Sequence, residues 1–238
     1  MNKVKESILS PAIIESKVIP NGIDLEIFHP FEKQAARDAL YIPQSCKVLL
    51  FAANGIRKNI WKDYHTLKSA VAFVAERLHN QMLFIALGED GPAEQIDKVE
   101  VRFVPYKNDL QSVARYYQAA DVYVHAARAD TFPNTVLEAL SCGTPVVATA
   151  VGGIPEQIVD AKTGFLTQPE NAAHMAEKII QLLVNDDLLR KMGITAGNYA
   201  STHFGLDRMV NDYLGYYQEI LHEWQSRHSA RFHHSSLP

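Results

Sequence analysis

The sequence predicts an α/β fold: a doubly wound parallel sheet flanked by helices. Short apolar runs of strand length recur at 48–53, 82–87, 101–104, 122–124 and 146–148. Between them apolar residues recur at helical spacing, and strand alternating with helix is the order that parallel strands with crossover helices demand. A chain of 238 residues with 47% hydrophobic and 21% charged content can also bury a full core.

Lys17, Val18 and Ile19 lead into the turn Pro20, Asn21, Gly22. The run 48–53 is nearly all apolar and reads as a buried strand, followed by a helical stripe at Leu67, Val71, Val74 and Leu78. The run 82–87 is the next strand and stops at Gly88; 101–104 is a third. Leu110, Val113 and Tyr117 mark a helix before the strand Val122, Tyr123, Val124. Pro133, Asn134 and Thr135 open a helix that runs through Leu137, Glu138 and Leu140 to Cys142, where Gly143 stops it. Val146, Val147 and Ala148 form a short strand, and Val151, Gly152 and Gly153 lead to a second helix start at Ile154, Pro155, Glu156. Gly164, Phe165 and Leu166 make a further strand; Met175, Ile179, Leu182 and Leu183 line a helix face, and helices continue to about Trp224. Residues 18–225 are expected to form the domain, with 1–17 a remnant of a linker or preceding domain. The stretch 226–238, rich in His, Ser and Arg, is expected to be a disordered tail whose histidines, His228, His233 and His234, are solvated rather than metal-binding.

A net charge of −4 gives no reason to expect a nucleic-acid partner. No apolar run approaches the roughly 18 residues of a membrane span, and the first residues lack a signal-peptide core, so a cytoplasmic protein is expected, peripheral at most to the inner membrane face. The cysteines Cys46 and Cys142 have no metal-type spacing, and Cys142, on an apolar helix end, reads as a buried thiol.

The segment 130–156 concentrates the chemistry: an acid at Asp130, a helix start, a second acid at Glu138 and the pair Gly152, Gly153. Helix starts facing one end of a sheet present free N–H groups and the positive end of a dipole to phosphate, while carboxylates beside them suit sugar hydroxyls. The loop after the 48–53 strand carries Gly55, Arg57, Lys58 and Lys62, cations able to neutralise a diphosphate or simply to be solvated. Gly88, Glu89, Asp90, Gly91 and Pro92 form a turn after the next strand.

Asp130, seven residues, Glu138, then Ser141, Cys142, Gly143, Pro145, Val146 and Gly152, Gly153, Glu156 resemble the signature of the retaining glycosyltransferase family four, which has the GT-B fold of two Rossmann-like domains. Asp130 stands where that family usually has Glu. The resemblance spans about 18–224 and matches only the carboxyl-terminal, donor-binding half, so it implies a need for an amino-terminal acceptor domain. It implies a catalytic group of Arg57, Lys62 and Asp130, a nucleotide site of Gly55, Val104, Tyr106, Thr135 and Glu138, and a donor-sugar site of Asp130, Phe132, Pro133 and Asn134. Glu156 is expected as a cap or supporting residue. The resemblance also implies no cofactor and no bound metal ion, a UDP-sugar donor ahead of GDP-mannose, and a glycan or lipid-linked acceptor, as in polysaccharide synthesis. A dinucleotide oxidoreductase is disfavoured, because Gly55 is the only glycine where its fingerprint needs three. A nucleotide-sugar epimerase of the same fold and a non-catalytic binding module remain as alternatives.

Overall fold

The computed structural model describes residue 4 and residues 6–232, with side chains described as far as residue 227. Its centre is a 7-stranded sheet. The strands are β1 (Lys47–Ala52), β2 (Met82–Leu87), β3 (Glu94–Ile96), β4 (Val99–Val104), β5 (Val122–His125), β6 (Val146–Thr149) and β7 (Gly164–Thr167). They lie in the order β3-β4-β2-β1-β5-β6-β7, all parallel except the β3–β4 pair. The chain builds outward from β1 through β2 to β4, then returns to place β5 on the other flank of β1. The expected doubly wound architecture is therefore present, with its topological switch point between β1 and β5.

Alternation along β1 shows why the sheet is covered on both faces. Val48, Leu50 and Ala52 belong to one core and Leu49 and Phe51 to the other, as a period of two requires. The first face carries α1 (Lys33–Ala39), α3 (Leu110–Ala119) and α4 (Asn134–Ser141), contributing Ala36, Tyr117, Leu137 and Leu140. The second carries α2 (Tyr64–Arg77) and α6 (Ala172–Leu183), whose predicted stripes Leu67, Val71, Val74 and Met175, Ile179, Leu182 are buried against each other and the sheet. Between α4 and α6 lies α5 (Ile154–Gln157), a single turn at the predicted second helix start. The chain closes with α7 (Asp186–His203) and α8 (Leu206–Phe232). Gly143 ends α4 with φ 73°, and a side chain on Gly193 of α7 would meet the Gly143 carbonyl at 2.5 Å, so these helices touch through glycine.

The structure departs from expectation in three places. Strand β3 is only Glu94, Gln95 and the buried Ile96, too short to carry a periodic signal. Helix α1 buries only Ala36 and Arg37, so no apolar stripe announces it. The expected tail does not begin at 226: α8 continues to Phe232, with no glycine or proline between Gly215 and Phe232 to interrupt it. The Ser226 hydroxyl donates to the His222 carbonyl at 2.9 Å, and Arg227 and Glu223 pair at 3.1 Å, one turn apart. His233 and His234, with the rest of 233–238, lie outside the described residues, as does the side chain of His228. Near the amino terminus, Lys17 reaches α8, its Nζ 3.2 Å from Glu219 Oε2. Among the described residues no helix is long and apolar enough to cross a membrane.

A buried carboxylate ties β5 to β1. Asp121, just before β5, accepts from the Val48 N–H at 2.8 Å, from Arg37 Nη2 at 2.8 Å and from Lys33 Nζ at 2.9 Å. Burial works to raise this carboxyl, but Lys33, Arg37 and the Val48 amide overcome it and hold it below the ordinary range. Arg37→Leu should therefore cost about 3 kcal/mol in urea unfolding, because it leaves the buried Asp121 charge to Lys33 and the Val48 amide alone. Since the folded pKa lies below the unfolded value of about 4, the contribution is complete above that pH and is lost as the pH falls through the folded value. Acid titration of stability should accordingly be shallower in the variant than in the parent protein.

Candidate functional site

At the carboxyl ends of β1 and β2 opens a cavity of about 190 Å³, lined by Ala52, Ala53 and Asn54, by Gly88, Tyr106 and Lys107, and by Tyr117, Thr135 and Glu138. It lies over the switch point, where open α/β sheets bind ligands. The amino-terminal turn of α4 forms one wall. Val136, Leu137 and Leu140 of that helix face the core, so Thr135 and Glu138, three residues apart, are turned together toward the cavity. Glu138 accepts a 2.7 Å hydrogen bond from the Tyr117 hydroxyl. Burial pushes its carboxyl up, with the Tyr117 hydroxyl opposing. The Thr135 hydroxyl is buried next to the Tyr123 hydroxyl. Glu138, Thr135 and the 67%-exposed Tyr106, three of the residues expected at a nucleotide, thus share one cavity.

The other acid, Asp130, lies on the loop after β5 and forms a separate centre. Its Oδ2 receives Lys62 Nζ at 2.6 Å and lies 3.4 Å from His125 Nε2. Burial alone would raise this carboxyl; the contacts from His125 and Lys62 reverse the effect and bring it down to about 2. Two features hold the loop in place. The Arg128 N–H donates to the Trp61 carbonyl at 2.8 Å, lashing the Asp130 loop to the loop that carries Lys62. On the other side, Gly152, at φ +54°, passes so close that a β-carbon there would sit 1.6 Å from the Asp130 carbonyl oxygen. The predicted glycine pair is thus explained by backbone meeting backbone.

The remaining expected residues are distributed as follows. Phe132 packs edge-on against Phe204, with ring centroids 6.1 Å apart. Pro133 precedes α4, and its carbonyl accepts from the buried Gln157 at 3.0 Å. Asn134 accepts from Asn21 at 2.9 Å, which joins the early turn to the site. Gly55, at φ +65°, turns the chain out of β1, and its carbonyl takes the amides of Lys58 and Asn59. The Val104 carbonyl accepts the Gly88 and Glu89 amides. Glu156 is exposed in the first turn of α5.

Arg57 is not brought to this group. Its amide and guanidinium both bind Glu89, Nη2 reaches the Asp90 carbonyl at 3.0 Å, and the cation lies 4.5 Å from the Phe103 ring centre. The turn at Gly88 therefore does more than reverse the chain: it supplies the acid that holds Arg57 away from Lys62 and Asp130. Sequence reading also passed over Tyr117, Tyr123 and His125. The signal for His125 is a histidine at the carboxyl end of a strand, one residue beyond the predicted end at Val124.

The doubly wound sheet has the fold of one half of a GT-B glycosyltransferase. The chain belongs to the glycosyl transferases group 1 family, whose model matches residues 32–198. D-inositol 3-phosphate glycosyltransferase 1 of Catenulispora acidiphila is 29% identical over 221 residues, 87% of this chain and 52% of that protein. Among solved structures, sucrose-phosphate synthase from Thermosynechococcus elongatus superposes with TM-score 0.77 at 24% identity, covering 92% of this chain and 57% of that one. Anabaena HepE in complex with UDP-glucose gives TM-score 0.71 at 23% identity, over 85% of this chain and 57% of that one. The chain spans about half the length of the curated relatives it matches.

Gly152→Ala should test the backbone contact behind Asp130. With φ positive and a 1.6 Å approach to relieve, it should lower stability by about 2–3 kcal/mol or more and shift the midpoint of urea unfolding.

Proposed function

We propose that this chain is the donor-binding half of a retaining glycosyltransferase, which holds a UDP-sugar and passes its hexose to a glycan or lipid-linked acceptor, as in polysaccharide synthesis. The observation that carries this is the placing of the signature's two acids on either side of the start of α4: Glu138 in the cavity over the switch point, Asp130 beside Lys62. Glu138 accepts the ribose hydroxyls, and the base lies by Val104 and Tyr106. The first N–H groups of α4, with the Thr135 hydroxyl and Lys62, take the diphosphate. Asp130 accepts hydroxyls of the sugar next to Phe132, Pro133 and Asn134. Support for uridine comes from the HepE complexes with UDP and UDP-glucose.

In the transfer the diphosphate leaves the anomeric carbon as the acceptor hydroxyl approaches from the same face. The growing charge on the leaving phosphate is what most needs stabilising, so Lys62 and the α4 amides act chiefly on the transition state. Arg57 joins them by exchanging Glu89 for phosphate, a geometry its forked cation suits. The acceptor site is assigned to a second domain, in cis or in trans, consistent with a chain half the length of its relatives.

Calorimetry with UDP, GDP, UDP-glucose and GDP-mannose tests the donor site. The uridine ligands should bind best, without loss on adding EDTA. Glu138→Ala should weaken them tenfold to a hundredfold, since a charge-assisted hydrogen bond contributes roughly 1.5–3 kcal/mol. A folded Glu138→Ala protein of unchanged affinity would remove the ribose assignment.

The 238-residue chain should bind donor yet transfer little sugar, because orienting the acceptor contributes several kcal/mol, about 7–11 in favourable cases, and needs an acceptor site. Product analysis by mass spectrometry checks this. Robust transfer to a defined acceptor would overturn the division of labour, and an epimerised sugar would point to a different reaction.

A further inference from the structure

His125 is the only buried histidine among the described residues, and it sits at the carboxyl end of β5 directly behind Asp130. Its Nδ1 lies 3.2 Å from the Tyr123 hydroxyl, which is itself 3.4 Å from the Ala52 carbonyl. Its Nε2 lies 3.4 Å from Asp130 Oδ2, the oxygen that also receives Lys62 Nζ at 2.6 Å. Both cationic or donor groups approach Oδ2; among the described residues nothing donates to Oδ1. The groups differ in rigidity. Lys62 is a long side chain on a loop, 20% exposed, whereas the imidazole is fully buried on a strand between Phe51 and Tyr123.

Proton positions follow from this arrangement. A neutral imidazole has one N–H. On Nδ1, it would leave the Nε2 lone pair facing a carboxylate inside the protein, a repulsive contact at low dielectric. On Nε2, it points at Asp130, and Nδ1 accepts the Tyr123 O–H. The second arrangement removes the repulsion at Asp130 and gives the single Tyr123 proton to Nδ1, which at 3.2 Å is nearer than the Ala52 carbonyl at 3.4 Å. Burial disfavours the charged imidazole, with Asp130 opposing and Lys62 reinforcing that preference. The 3.4 Å separation is long for a hydrogen bond, and a movement of a few tenths of an ångström of the Asp130 loop closes it, as polar contacts in ligand-free sites commonly do.

We infer that Tyr123 and His125 form a relay that fixes the Asp130 carboxylate by Oδ2 and presents Oδ1 to the hydroxyls of the bound sugar. His125 is then a positioning residue for recognition of the sugar, acting through Asp130 and not on the nucleotide. This inference rests on the donor-site reading above, but the proton arrangement is testable without any ligand.

Long-range proton–nitrogen NMR of the 15N-labelled chain, with His125 assigned by its loss in His125→Gln, should show the neutral Nε2–H tautomer. The Nδ1–H tautomer would overturn the relay. By calorimetry, His125→Leu should weaken UDP-glucose about five- to twentyfold while changing UDP by no more than about twofold. Tyr123→Phe, which keeps the ring and disturbs the fold least, should shift the same ratio in the same direction by a smaller factor. In an Asp130→Asn background, His125→Leu should add nothing further. Equal losses for both ligands, or additive losses with Asp130→Asn, would overturn the positioning role. Should the parent protein bind neither ligand, the donor-site reading fails and the sugar role with it. A wrong tautomer in a protein that binds UDP-glucose overturns the relay alone.

Discussion

The fold turns on the join between β1 and β5, where the chain changes direction across the sheet, and that join is held at its lower end by one buried carboxylate. Asp121 binds the Val48 amide while its own N–H donates to the Val48 carbonyl, so side chain and main chain together set the register of β5 against β1. Arg37 and Lys33 compensate the charge, which would be costly in the interior without them. Above that join the candidate site opens at the carboxyl ends of β1 and β2, with the start of α4, the helix that follows β5, as one wall. A slip in register would carry Tyr123 and His125 to the wrong faces and dismantle both acid centres.

Those two centres show how environment divides one residue chemistry into two. Glu138 stands in a largely apolar cavity, touched by a neutral tyrosine hydroxyl, and its carboxyl is raised. Asp130, only eight positions earlier, faces a lysine and an imidazole and is pushed to about 2. In the proposed reaction the first accepts neutral ribose hydroxyls where water is scarce, and the second keeps a full charge beside the sugar. Arg57 belongs to a third arrangement, held by Glu89 in this structure; in the proposed reaction it exchanges that carboxylate for phosphate.

What the sequence determined by itself was whatever depends on neighbours along the chain. The apolar runs of β1 and β2, the stripe Leu67, Val71, Val74, and the stop at Gly143 are local patterns, and the structure places each in the predicted element. The acid pair at 130 and 138 was legible because its spacing is local too. Helix α1 was not legible because it is short and held by the contact of Arg37 with the distant Asp121, and strand β3 because Glu94, Gln95 and Ile96 are too few to show a period. The helical continuation past 225 was hidden by polar composition, which describes a solvent-facing helix as well as a coil. Only the tertiary structure decided which charges meet. Lys62 finds Asp130 across 68 residues and Arg57 finds Glu89 across 32, although both cations leave the same loop. Strand order sets those pairings, because it determines which loops emerge side by side at the carboxyl edge of the sheet, and strand order is a property of the whole core that no local spacing records.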